Sequence, residues 1–124
     1  MTFKKAPLII IAITLFASIL AYVLLANYPY STANIDNGKT QYLANCVFCH
    51  GDNGHGDGTA AVGFEVKPDN IFDELQNPFG LKAELIHSVL DGENGQNGQM
   101  PAFGHTLSKE DVNDIFAYIE SVNE

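Results

Sequence analysis

Two cysteines and a histidine stand together at Cys46, Cys49 and His50, in the spacing C-x-x-C-H. Two thiols three positions apart can both form thioether bonds to one edge of a porphyrin. The imidazole that comes next in the chain can reach the metal from the same side. This spacing is the covalent attachment signature of a c-type haem, and histidine is a standard ligand of haem iron. Other uses of a cysteine pair fit less well. A structural zinc site takes four ligands, and the chain holds only 2 Cys, both within this motif. A thioredoxin-like dithiol belongs with a βαβ pattern, and none is legible here.

A second iron ligand is sought downstream. Met100 is the only methionine after Met1. A thioether sulfur is a soft donor suited to haem iron, and Met/His ligation raises the reduction potential. Pro101 biases Met100 towards extended backbone and stiffens the loop after it. A buried methionine is more often core filler, but the loop setting and the proline favour a ligand. His87 and His105 compete for the sixth position. His87 falls opposite the apolar side of its helix and is expected to be exposed. His55 is expected to be solvated, since it lies too near His50 in the chain to reach the opposite face.

These residues need elements to hold them. Residues 35–46 read as a helix with Ile35, Gly38, Tyr42 and Cys46 near one face. Gly38 on that face suggests a closely approaching backbone or ring, against the plainer reading of a tolerated glycine. Gly51, Gly54, Gly56 and Gly58 make the next stretch a loop wrapping the proximal side of the haem. It lacks the Lys-Ser/Thr of a phosphate-binding loop and fails the EF-hand pattern. Asp69 is the expected cap of a short helix ending at Leu75. Residues 81–90 form another helix, with Leu81, Leu85, Ile86, Val89 and Leu90 on its apolar side, stopped by Gly92. A second glycine-rich loop over 92–98 leads to Met100. Ser108 caps the last helix with Asp111 as capping-box partner, and Val112, Ile115, Phe116, Ile119 and Val122 form its buried stripe, with Tyr118 at the edge. The class is all-α. The core is thin for its length, and a porphyrin flanked by Phe48, Leu85 and Phe103 would complete it.

Residues 8–26 are an apolar run interrupted by Thr14 and Ser18. At about 1.5 Å per residue it approaches the ~30 Å of a bilayer core. Lys4 and Lys5 before it predict that this end stays in the cytoplasm. The expected organisation is a transmembrane anchor or signal segment over 1–26, a linker over 27–34 with Tyr28 and Tyr30 at headgroup level, and one domain over 35–124. A retained anchor is the first reading, because the run is long for a signal peptide. Cleavage near Ala33 is the alternative.

The formal net charge is −9 and the chain contains no arginine. A basic nucleic-acid footprint is therefore absent. All 15 acidic residues lie at Asp36 or later, where four lysines leave a balance of −11. Such a surface suits a redox partner with a basic docking face, or simply keeps the domain soluble.

Over residues 35–122 the chain resembles a class I monohaem cytochrome c. The resemblance rests on Cys46-Val47-Phe48-Cys49-His50, Gly38 and Tyr42 before it, the 51–58 loop, Met100-Pro101-Ala102-Phe103-Gly104, and the terminal helix with Tyr118. It implies three to four helices around one covalently attached haem c, preceded here by the N-terminal hydrophobic helix. It implies Cys46 and Cys49 as thioether anchors, and His50 and Met100 as the ligands of the iron. It also implies a crossing of the two terminal helices, and attachment on the outer side of the membrane, here the periplasmic side of a bacterial cytoplasmic membrane. Relatives with this loop often carry proline at the position of Thr59. With threonine there, the hydrogen-bond partner of His50 stays open, the region of Pro68 being an alternative source.

The expected function is one-electron transfer between membrane respiratory or dehydrogenase partners, with no small-molecule substrate and no catalytic step of its own. A relay subunit fixed within a larger membrane oxidoreductase is the alternative. A ligand-binding sensor or peroxidase would need a catalytic base beside Met100, and none is apparent.

Overall fold

The computed structural model describes residues 6–26, 32–92 and 100–124. The lysine pair, most of the linker including both its tyrosines, and residues 93–99 of the second glycine-rich loop lie outside the described residues. The order is α1 (Ala6–Ala26), α2 (Ile35–Asn45), α3 (Val47–His50), a 3-10 turn (Thr59–Gly63), α4 (Ile71–Gln76), α5 (Lys82–Asp91) and α6 (Lys109–Asn123). Every described element is helical, as the sequence predicts. The expected helices correspond to α2, α4, α5 and α6, and α3 is one added turn.

Helix α1 carries no charged residue and is long and apolar enough to cross a membrane. Its two hydroxyls are satisfied within the helix. Thr14 donates to the Ile11 carbonyl at 2.9 Å and Ser18 to the Thr14 carbonyl at 2.8 Å. Neither would present an unmet polar group to lipid.

Helices α2 and α6 form the principal crossing of the remaining chain. A side chain at Gly38 would collide with the Asp114 carbonyl, so only glycine lets the two backbones meet there. Polar groups hold the same end. The Asn34 N–H donates to Asp114 Oδ1 at 2.8 Å. The Asn37 amide donates to Asp111 Oδ1 at 3.0 Å and to Asp114 Oδ2 at 2.8 Å. One turn further along, the rings of Tyr42 and Tyr118 pack at 5.6 Å between centroids. Tyr42, Ile86, Val112, Ile115, Phe116 and Ile119 are the heart of the core.

Three details differ from the sequence reading. The first helix does not run unbroken through Cys46. It ends at Asn45, and the Cys46 carbonyl accepts from both the Cys49 and His50 N–H groups, so a new turn begins there. Asn70 rather than Asp69 caps α4, because its Oδ1 accepts from the Asp73 N–H. Val122 is exposed, since the last turn of α6 runs past the elements that cover Ile119. The expected capping box of α6 is complete. Ser108 Oγ accepts from the Asp111 N–H at 3.1 Å, and Asp111 Oδ2 accepts from the Ser108 N–H at 2.9 Å.

Two outcomes are expected in chemical denaturation of the full chain. Gly38→Ala forces α2 away from α6 and costs about 1–3 kcal/mol, the usual range for overpacking; an unchanged midpoint would contradict the crossing. Asp111→Ala costs about 1 kcal/mol at neutral pH, as typical for a lost cap. The Asp111 carboxyl is held below its usual range, first by the Ser108 N–H, then by the Asn37 amide and the Ser108 hydroxyl. Its stabilisation is therefore present above the ordinary carboxylate pKa of ~3.9 and is lost as pH falls through the lower folded value. The difference between variant and parent should close in acid and persist at pH 7.

Candidate functional site

The site begins where α2 breaks. The single turn of α3 places Cys49 and His50 on the wall of a cavity. The same cavity is lined by Met100, which the segment after α5 delivers. Three of the four expected site residues thus share one cavity. Cys46 does not line it; it is partly buried and packed against the core. Both thiols are free rather than joined in a disulfide. Burial, and then the neighbouring Cys49, push the Cys46 thiol up to about 12, so it is protonated at neutral pH.

His50 is anchored through its backbone and its ring. Its ring Nδ1 lies 3.2 Å from the Asp69 carbonyl oxygen. That contact makes Nδ1 the donor and leaves Nε2 as the nitrogen for a metal. Burial lowers the His50 pKa, and the Asp69 carbonyl opposes this in part. A neutral imidazole at neutral pH is the form that ligates. The expected alternative source near Pro68 is therefore where the partner lies, one residue on. Asp69 serves the histidine through its carbonyl and leaves helix capping to Asn70.

The glycine-rich loop braces this arrangement. Its N–H groups turn back onto the attachment turn, Gly56 to the His50 carbonyl at 2.9 Å and Gly58 to the Cys49 carbonyl at 3.1 Å. The buried Tyr42 hydroxyl donates to the Gly51 carbonyl. Gly56 has φ +75, and a Cβ there would strike the Pro68 carbonyl. At this position glycine is required twice, by backbone conformation and by space. His55 is exposed, and its Nε2 lies 2.7 Å from Asn123 Oδ1, which ties the loop to the end of α6.

Met100 is positioned by its neighbours. The Phe103 N–H bonds the Val89 carbonyl at 3.1 Å and the Gly104 N–H bonds the Leu90 carbonyl at 2.9 Å, pinning the segment to the end of α5. Gly92, at φ +86, lets the Met100 carbonyl and the Ala102 N–H come close. Neither His87 nor His105 lines the cavity. Both are exposed, and His87 sits 3.8 Å from Asp91 across one helical turn.

The walls are mainly apolar. Leu85 and Phe103 contribute as expected. Phe48 does not: it is 67% exposed and points away, because Cys49 and His50 take the cavity side of the α3 turn. Phe64, Ile71, Val89 and Phe116 supply walls that sequence reasoning did not assign to the cavity. Two of them carried a signal, Phe116 as part of the α6 stripe and Val89 on the apolar side of the helix over 81–90. An apolar cavity lined by a thiol, a neutral imidazole and a thioether suits a flat apolar cofactor with a central metal. Among the described residues no three His, Cys, Asp or Glu side chains gather as a cluster that could hold a bare metal ion.

Comparison with known proteins gives the same chemistry. The family model described as cytochrome c oxidase, cbb3-type, subunit III, matches residues 33–119. The chain is similar to the cbb3-type cytochrome c oxidase subunit FixP of Azorhizobium caulinodans, 30% identical over 94 residues, which is 76% of this chain and 29% of that protein. It is similar to the subunit CcoP of Azospirillum brasilense, 32% identical over 90 residues, 73% of this chain and 29% of that one. It is also similar to cytochrome c6 of Bumilleriopsis filiformis, 30% identical over 95 residues, 74% of this chain and 95% of that one. The chain thus spans under a third of the two oxidase subunits and nearly the whole of the small cytochrome.

The brace makes a paired prediction. Gly56→Ala should lower the stability of the full chain by about 1–3 kcal/mol, through strain and collision with the Pro68 carbonyl. Gly63→Ala, with nothing within 4 Å of the added carbon, should leave it unchanged or slightly raised. Equal thermal midpoints for the two variants would contradict the brace.

Proposed function

The chain belongs to the c-type cytochromes, in the family of the cbb3-type cytochrome c oxidase subunit III, and from that premise we propose that it is a membrane-tethered one-electron carrier with His50 and Met100 as axial ligands. The cofactor is a covalently bound haem c with its iron, and electron transfer is the activity of such proteins. The chemistry that group supplies when bound is a one-electron change of oxidation state.

The chain's own residues do the rest. Cys46 and Cys49 hold the cofactor through thioether links. His50 offers Nε2, aimed by the Asp69 carbonyl. Met100 offers a soft sulfur that favours the reduced metal. Filling both axial positions leaves no place for a small-molecule substrate. The apolar walls exclude water and lower the local dielectric, which also tunes potential. The observation that carries this reading is the single cavity lined by His50, Cys49 and Met100.

On the same reading residues 1–26 anchor the protein, 27–34 tether it, and 35–124 carry the haem on the periplasmic side. The length and apolar character of α1 support the anchor, and Lys4 and Lys5 support the orientation. The acidic domain suits partners with a basic docking face. A second reading is favoured by the likeness to FixP and CcoP: a relay subunit held permanently in a larger membrane oxidoreductase. A stoichiometric partner retained through detergent extraction would select it over a free carrier.

Met100→Ala tests the ligand. The reduced spectrum should lose its sharp low-spin form, and the midpoint potential should fall. An unchanged spectrum and potential would remove Met100 from the iron.

A further inference from the structure

The rim of the cavity carries three charged side chains, Lys67, Asp69 and Glu74. Lys67 is the only cation among them. The chain has no arginine, and Lys39, Lys82 and Lys109 do not line the cavity. Among the described residues Lys67 has no ion-pair partner, although the chain holds 15 carboxylates. An exposed lysine with no ion-pair partner among the described residues, at the mouth of an apolar cavity, is free to meet an anion that a ligand brings there.

Lys67 is also well fixed at its root. It precedes Pro68, which biases it to extended backbone. The Ile71 N–H bonds the Gly54 carbonyl at 2.7 Å, and the Asp69 carbonyl meets His50 at 3.2 Å. Gly56 packs beneath the Pro68 carbonyl. The segment that carries Lys67 is thus tied to the same loop that orients the imidazole. Its side chain is exposed, as suits a long aliphatic stem over apolar wall with its ammonium at the surface.

A haem brings two propionate carboxylates. Placed at a rim that already holds Asp69 and Glu74, they would meet like charge. We propose that Lys67 is the ion-pair partner of one of these propionates. The proposal rests on the haem-binding reading above. The pair positions the porphyrin edge, and its positive charge opposes the extra positive charge of the oxidised metal. It therefore holds the potential up.

The test uses the full chain in detergent, with haem content measured on every variant. Lys67→Gln and Lys67→Glu should lower the midpoint potential in that order, while Lys67→Arg keeps it near the parent. The propionate bending band in resonance Raman spectra should shift in the Gln and Glu variants and not in Arg. Lys39→Gln, on the exposed side of α2, should leave both readouts at the parent value. Raising the salt should narrow the gap between parent and Lys67→Gln, as for a partly exposed pair. If Lys67→Gln lost haem, recovery in Lys67→Arg would support the pairing, and loss in both would overturn it. Unchanged band and potential in Lys67→Gln at full haem content, or an equal change in Lys39→Gln, would also overturn it. A parent protein with no haem at all would instead remove the reading on which the proposal rests.

Discussion

The fold depends on the contact of two backbones at Gly38. Helices α2 and α6 can approach there only because no side chain stands between them and the Asp114 carbonyl. Asn34 and Asn37 then reach the carboxylates of α6 and fix the crossing at its polar end. Tyr42 and Tyr118 close it at the apolar end. Helix α2 leads straight into the attachment turn, so the position of Cys49 and His50 is set by this crossing. Phe116, on the other member of the pair, becomes a wall of the cavity. One glycine therefore links the stability of the helix pair to the geometry of the site.

From that crossing a chain of short contacts runs around the imidazole. Tyr42 holds Gly51, the glycine-rich loop returns to the His50 and Cys49 carbonyls, and Gly56 makes room for the Pro68 carbonyl. Asp69 then meets His50. On the other side the Met100 segment hangs from the end of α5. The proposed metal ligands, His50 and Met100, thus come from two segments, each held by backbone hydrogen bonds. A carrier that must change oxidation state with little rearrangement gains from such rigidity, because reorganisation around the metal is what slows electron transfer.

Much of this was legible in the residues. The C-x-x-C-H spacing, the lone Met-Pro and the stripe of α6 each have a short-range signature; Cys49, His50 and Met100 line one cavity, and the stripe is buried as far as Ile119. Gly38 was legible as a close approach because a buried helical face seldom gives up a side chain unless a neighbour needs the space. What stayed hidden were contacts made by carbonyls. A carbonyl is carried by every residue, so the roles of Asp69, Val89 and Leu90 leave no mark on residue type. The same holds for Phe48. Its apolar character suggested a wall, but the direction of a side chain on a one-turn helix depends on the break at Cys46, which no propensity announces. Phe64 closes the 3-10 turn and Ile71 opens the six-residue α4, stretches too short to show a period, so their place on the cavity wall could not be read in advance.

Everything proposed for this site requires a porphyrin joined covalently to Cys46 and Cys49. Intact mass of the purified full-length protein under denaturing conditions addresses it most directly. The expected result is a polypeptide carrying the mass of one haem, with neither thiol open to alkylation. A polypeptide mass alone, 13.5 kDa for the full chain, with two alkylated cysteines would contradict it.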